Sequence, residues 1–247
     1  MANYGVIDLG SNSVRLVIFD VKDGISKKKP ITCKDFRSII NDKVMAGLSA
    51  YVDAGEFTPE GIARAVDVLS GHLKRARYFN CVRTDIFATA VLRNCTNSRK
   101  AIRAIEEAIG APVSLLSARD EAHLSFTGAS CDRTIEKGTV VDLGGGSTEL
   151  IRVEEGRDFD DVSIGQGSLS SYAGYVEFVM PQADEVEAIE RAFLDQVAKT
   201  PVDLKKYRAE TLYGVGGSAR AAAKLYAQMT GESCRPKTLT PEHFDAL

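Results

Sequence analysis

Val140-Val141-Asp142-Leu143-Gly144-Gly145-Gly146-Ser147-Thr148-Glu149-Leu150 reads as two strands joined by a glycine-rich turn, because β-branched residues flank a small, flexible centre. A tight hairpin needs one or two glycines. Three, with an acid before them and Ser147-Thr148-Glu149 after, exceed what reversing the chain requires, and successive N–H groups in such a turn can cradle phosphate oxygens. The N-terminus opens the same way: Val6-Ile7-Asp8-Leu9-Gly10, then Ser13 and Leu16, recurs at Val140-Val141-Asp142-Leu143-Gly144, Ser147 and Leu150, displaced by 134 positions. Self-similarity at one fixed offset points to a duplicated unit. Each half is expected to begin with an acid-tipped, phosphate-binding loop.

The remaining pattern is mixed α/β. Thr58 caps and Pro59 opens a helix whose apolar face is Ile62, Val66, Leu69 and Leu73, ending near Tyr78. Asp85–Thr89 reads as a strand, Ser98 as the cap of a helix with Ile102, Ile105 and Ile109 inward and Gly110 closing it, and Pro112–Leu116 as a short strand. A helix from about Asp120 to Ala129 precedes an aperiodic polar bridge, which places a domain boundary between residues 1–131 and 132–247. Asp184–Ala198 is amphipathic with Val186, Ile189, Phe193 and Val197 on one face; Leu212–Val215 is a strand and Ser218–Met229 a helix. Asp23-Gly24 marks a turn, and Ile31–Ile40 is too mixed in pattern to assign.

Gly214-Val215-Gly216-Gly217-Ser218-Ala219 fits G-x-G-x-x-A, but no strand ending in an acid follows, as dinucleotide binding demands. A glycine turn opening a helix still suits an anion, so it is read as a third wall of the site. The P-loop pattern is absent.

Composition narrows the function. The chain has 247 residues, 31 Lys plus Arg against 34 Asp plus Glu and a net charge of −3, which excludes nucleic-acid binding by bulk charge. No apolar run approaches the roughly 20 residues of a membrane helix, and no signal peptide leads the sequence, so a cytoplasmic protein is expected. Cys33, Cys81, Cys95, Cys131 and Cys234 are widely spaced and never paired as C-x-x-C. Disulfides, structural zinc and a catalytic thiol are therefore not expected.

Ile7-Asp8-Leu9-Gly10-Ser11-Asn12-Ser13, Ala88-Thr89 with Leu92-Arg93 and Asn97, Asp120-Glu121-Ala122 with Leu124 and Gly128, and Val141–Leu150 together resemble the exopolyphosphatase and guanosine pentaphosphate phosphohydrolase family. The resemblance implies two actin-like, ribonuclease-H-type α/β domains with the site in a cleft between them. It implies Glu121 as catalytic base, Asp142 and Glu149 as acids ordering a divalent cation such as Mg²⁺, Gly144, Gly145, Gly146 and Ser147 as the phosphate loop, and Asn12 and Arg93 as residues lining the substrate path. The implied substrate is inorganic polyphosphate or guanosine pentaphosphate, with no nucleic-acid or membrane partner and with homodimer formation left open. Two rival functions share the fold: an ATPase or kinase, and a non-catalytic alarmone sensor.

Taken alone, Glu121 also fits an exposed first-turn acid, Arg93 a surface ion pair, and the Arg99, Lys100 and Arg103 cluster a solvated face or a guide for polyphosphate. His123 and Lys27-Lys28-Lys29 are read as solvated surface. Ala118 stands where the family has Gly, Asp120 replaces the first of its paired glutamates, and Ile164-Gly165-Gln166-Gly167-Ser168 departs from its usual sequence, which bears on substrate choice. The resemblance is expected to give out after Thr240, as in a truncated chain.

Overall fold

The computed structural model describes residues 2–22, 32–132, 134–233 and 238–246. The Asp23-Gly24 turn, the Lys27–Lys29 run and Cys234 lie outside them. Contacts divide the chain into two units, Met1–Glu121 and Ala122–Leu247. This boundary falls inside a helix, ten residues before the one expected from the polar bridge at 131/132.

In the first unit, β1 (Ala2–Leu9) and β2 (Ser13–Val21) form the opening hairpin, followed by β3 (Phe36–Met45), the short pair β4 (Val52–Asp53) and β5 (Glu56–Phe57), and helix α1 (Pro59–Tyr78). Then come β6 (Cys81–Ala88), α2 (Ala90–Arg93), α3 (Ser98–Ile109) and β7 (Ser114–Leu115), and α4 (Ala118–Asp132) carries the chain on into the second unit. The main sheet runs β3-β2-β1-β6-β7, antiparallel across β3-β2-β1 and parallel from β1 to β6 and β7.

The period-2 pattern fixes the register: Ile7 and Leu9 on β1 and Val14, Leu16 and Ile18 on β2 are buried and pack with Leu69 of α1 and Ile105 of α3. Each such side chain contributes about 1.5–3 kcal/mol by leaving water. Thr58 accepts a bond from Gly61 N–H at 3.2 Å, and Pro59 is the first residue of α1, as its cap sequence predicts. Ser98 does not cap α3. The N-cap is Asn97, whose side-chain amide instead brackets Phe57, accepting from its N–H and donating to its carbonyl, both at 2.9 Å.

The second unit holds β8 (Gly138–Leu143), β9 (Thr148–Glu154), β10 (Arg157–Ile164), α5 (Ser168–Tyr175), α6 (Ala183–Lys199), β11 (Leu212–Val215), α7 (Gly216–Thr230) and α8 (Pro241–Asp245). Its sheet runs β10-β9-β8-β11, again antiparallel across the first three strands and parallel at the last pair. Ala122, Phe126 and Ala129, one face of α4, pack on Val140, Ile151 and Val153. On α6, Ile189, Phe193 and Val197 are half-buried as its periodicity predicts, while Val186 is exposed. The duplicated hairpin thus opens two sheets that share a four-strand order, three antiparallel strands and then a parallel one, extended by β7 in the first unit, which is the ribonuclease-H-type arrangement of actin-like proteins. Among the described residues no helix is long and apolar enough to cross a membrane.

Candidate active site

The two glycine loops are closed alike. Gly10 N–H donates to Ser13 O at 3.2 Å, and Gly144 N–H to Ser147 O at 3.0 Å. In each unit the chain leaving the third strand then ties down the loop carbonyls. After β3, Ala46 and Gly47 N–H donate to Asn12 O at 2.9 and 2.8 Å, and Ser49 N–H to Ser11 O at 2.9 Å. After β10, Ser168 N–H donates to Gly144 O, and Leu169 and Ser170 N–H to Gly145 O, each at 2.9 Å. These donors begin α5, so a helix start satisfies its orphan N–H groups on the loop.

With the carbonyls engaged, the N–H groups of Ser11 and Asn12, and of Gly145 and Gly146, form no hydrogen bond among the described residues. Unbonded successive amides make an anion-binding concavity. Ser147, expected in the phosphate loop, is itself 4% exposed.

The segment that departed from the family pattern is this buttress. At Gly167 an added Cβ would lie 2.6 Å from Gly144 O and 2.7 Å from Ser147 N, so only glycine allows the close approach. Gln166 accepts Thr148 Oγ1 on its carbonyl at 2.7 Å and donates Nε2 to Ser171 Oγ at 2.9 Å.

Asp142 and Glu149 face each other across the β8–β9 ladder. Like charges so placed repel, and each is held by a hydroxyl: Ser125 donates to Asp142 Oδ2 at 2.6 Å and Ser163 to Glu149 Oε1 at 3.0 Å. Glu149 is 2% exposed. Among the described residues no three His, Cys, Asp or Glu side chains converge. A pair of carboxylates nonetheless fits Mg²⁺, which takes one or two from a protein and fills its octahedron with water and phosphate oxygens. Val215 pairs with Asp142, and Gly216, at φ +88°, starts α7 where a Cβ would come 3.0 Å from Asp142 Oδ1. The Gly214–Ala219 turn therefore borders this acid, and its helix start carries no side-chain cap.

In the first unit, Arg93 and Glu121 are brought together directly. Arg93 Nη1 donates to Glu121 Oε2 at 2.6 Å and to Leu116 O at 3.2 Å, with the two side chains 17% and 21% exposed. Glu121 is neither the solvated acid nor Arg93 the surface ion pair that each residue alone would suggest. A capping box holds the start of α4: Ser117 Oγ donates to Asp120 Oδ2 at 2.6 Å and accepts from Asp120 N–H at 3.1 Å. Ser117-Ala118-Arg119-Asp120 is the [ST]-x-x-[DE] signature, a sequence signal that would have started the helix two residues earlier than Asp120.

Other expectations resolve simply. His123 is exposed yet pairs with Asp158 at 2.7 Å. Arg99, Lys100 and Arg103 are exposed on α3. Burial pushes the Cys81 and Cys95 thiols up, away from the nucleophilic thiolate.

Two sheets that share a four-strand order, each with an acid-tipped glycine loop at its first turn, define an α/β protein of the actin-like class. The Ppx/GppA phosphatase family profile matches residues 7–247, past Thr240 and through to the last residue. The chain belongs to the Ppx/GppA phosphatase family. Exopolyphosphatase 2 of Mycobacterium tuberculosis is 26% identical over 238 residues, covering 93% of this chain and 72% of that protein. The crystal structure of an exopolyphosphatase from Cytophaga hutchinsonii superposes with a TM-score of 0.78 at 22% identity, covering 94% of this chain and 72% of that one. The Aquifex aeolicus Ppx/GppA family member gives 0.68 at 22% identity, over 98% and 72%.

Proposed function

We propose that this chain is a phosphohydrolase releasing the terminal phosphate of inorganic polyphosphate or of guanosine pentaphosphate. The observation that carries the reading is the pair of loops whose carbonyls are spent on their own unit while the amides of Ser11 and Asn12, and of Gly145 and Gly146, remain unbonded. The name of the mycobacterial relative supports polyphosphate as substrate.

In this reading the loop of Gly144, Gly145, Gly146 and Ser147 holds phosphate oxygens through the unbonded amides of Gly145 and Gly146, the Gly144 N–H closing the loop on Ser147 O, and Asn12 contributes from the first loop. Glu121 takes a proton from the attacking water, whose oxygen bonds to the terminal phosphorus as the bridging P–O bond breaks and its electrons leave with the shortened chain. Arg93 fixes the carboxylate's orientation. Asp142 and Glu149 would hold a divalent cation, which when bound neutralises charge on the transferring group. The protein is read as cytoplasmic.

The test is phosphate release measured side by side on long polyphosphate, guanosine pentaphosphate and ATP, with and without Mg²⁺. Mg²⁺-dependent release from either of the first two is expected. Turnover of ATP alone would favour the ATPase or kinase reading, and tight binding of guanosine pentaphosphate without hydrolysis the sensor.

A further inference from the structure

At the end of the second unit's sheet opposite the glycine loop, where β8 and β11 begin and β9 ends, lies a cavity of about 450 Å³. Five residues of strand separate Thr139 in its wall from Gly144, roughly 16 Å. Lys137, Arg152, Lys206 and Arg208 line it, against Glu154 and Glu210. Arg152 is committed to the wall, paired with Glu154 and lying 5.3 Å from the centre of the Phe159 ring. Lys137, Lys206 and Arg208 form no ion pair among the described residues.

Lys137, Lys206 and Arg208 are exposed, and three unpaired cations around one concavity repel each other. Their placement is also held. Tyr207, 4% exposed, sits between Lys206 and Arg208 in sequence, and its carbonyl accepts Thr139 Oγ1 at 2.8 Å, tying this stretch to the start of β8. Burial and the neighbouring Asp160 and Asp161 push its phenol up to about 12, so the anchor stays neutral.

We propose that this cavity binds a small molecule carrying two or more phosphate groups, at a site separate from the glycine loops. Lys137 and Lys206 supply point charges and Arg208 a planar fork suited to phosphate oxygens. Glu210 adds an acceptor for an O–H or N–H of an organic remainder. The volume falls in the range of small-molecule sites, about 300–1,000 Å³. The phosphates belong either to a free oligophosphate or to a nucleotide-like molecule, and the recognising chemistry is the same.

The experiment is lysine acylation of the full chain, read residue by residue by mass spectrometry, in EDTA, with tripolyphosphate or with ADP. Lys137 and Lys206 should be protected about fivefold at saturating ligand, while Lys199 and Lys224 elsewhere on the unit keep their rates. Protection by tripolyphosphate identifies a free oligophosphate as sufficient; protection by ADP alone identifies an organic phosphate. The Lys206→Glu/Arg208→Glu variant should weaken binding at this site by at least about tenfold, read by the remaining protection of Lys137. Circular dichroism checks its fold. Protection by neither ligand, equal protection of Lys199 and Lys224, or an unchanged affinity in a folded double variant would overturn the assignment.

Discussion

Arg93 Nη1 lies 2.6 Å from Glu121 Oε2, so the residue proposed as the water's base is held by a residue expected to line the substrate path. Arg93 also anchors Leu116 O, just before the capping box of α4. An arginine that orients a carboxylate acts on rate more than on ground-state binding. Arg93→Met should lower kcat for phosphate release by about 100-fold, the cost of misplacing a catalytic group by about 1 Å, with a smaller change in KM. Equal losses in kcat and in thermal stability would mean that the pair serves folding alone.

Gly167 faces Gly144 too closely for any side chain. Gly167→Ala should cost about 1–3 kcal/mol, as overpacking does, and should raise KM for polyphosphate because the displaced backbone is the phosphate loop. Gly165 is the control: a Cβ there meets nothing nearer than Gln196 Oε1 at 4.0 Å. Urea denaturation and phosphate-release kinetics on both variants check this.

Ser125 reaches Asp142 Oδ2 from α4, one helical turn beyond Glu121. Ser125→Ala leaves the carboxylate in place but unoriented, and should raise the Mg²⁺ concentration for half-maximal activity by about 10-fold, at the low end for outer-shell partners. A Mg²⁺ titration of activity reads the effect; saturating Mg²⁺ should recover most of the rate.

His72 is fully buried, its Nε2 3.2 Å from Val14 O and its Nδ1 3.4 Å from Asp42, which also pairs with Arg75 at 2.9 Å. Burial lowers its pKa below the ordinary 6.5, and Arg75 adds to this against the raising effects of Val14 and Asp42. A base with a depressed folded-state pKa binds its proton more readily unfolded, so stability holds above about 6.5 and declines as pH falls from there towards the folded pKa. Unfolding midpoints measured between pH 7.5 and 5 should fall, and His72→Gln should flatten the decline.

What the sequence disclosed follows from how local each signal is. The duplicated loops, the Thr58–Pro59 cap and Gly110 at the end of α3 are short-range features, and the structure has them where the residues put them. β10 was not legible because Arg157, Asp158, Asp160 and Asp161 mask the alternation of an edge strand in which only Val162 and Ile164 are buried. β3 is likewise an edge, with Ile39 and Met45 exposed. α5 has no buried residue to give it a period; it exists to cap the Gly144–Gly145 carbonyls. Among the site residues, Arg93 and Glu121 could be named from family resemblance, but their union could not, since 28 positions separate them. Ser125 and Gly167 were out of reach for the same reason: each matters through a partner on another element.

The most direct measurement is phosphate release from polyphosphate by Glu121→Gln, an isosteric change that removes the base and keeps the side chain's shape. The account predicts a rate reduced by at least about 100-fold, within the usual contribution of general acid–base catalysis, with polyphosphate affinity within a few-fold of wild type. Turnover at the wild-type rate by a folded Glu121→Gln protein would contradict it.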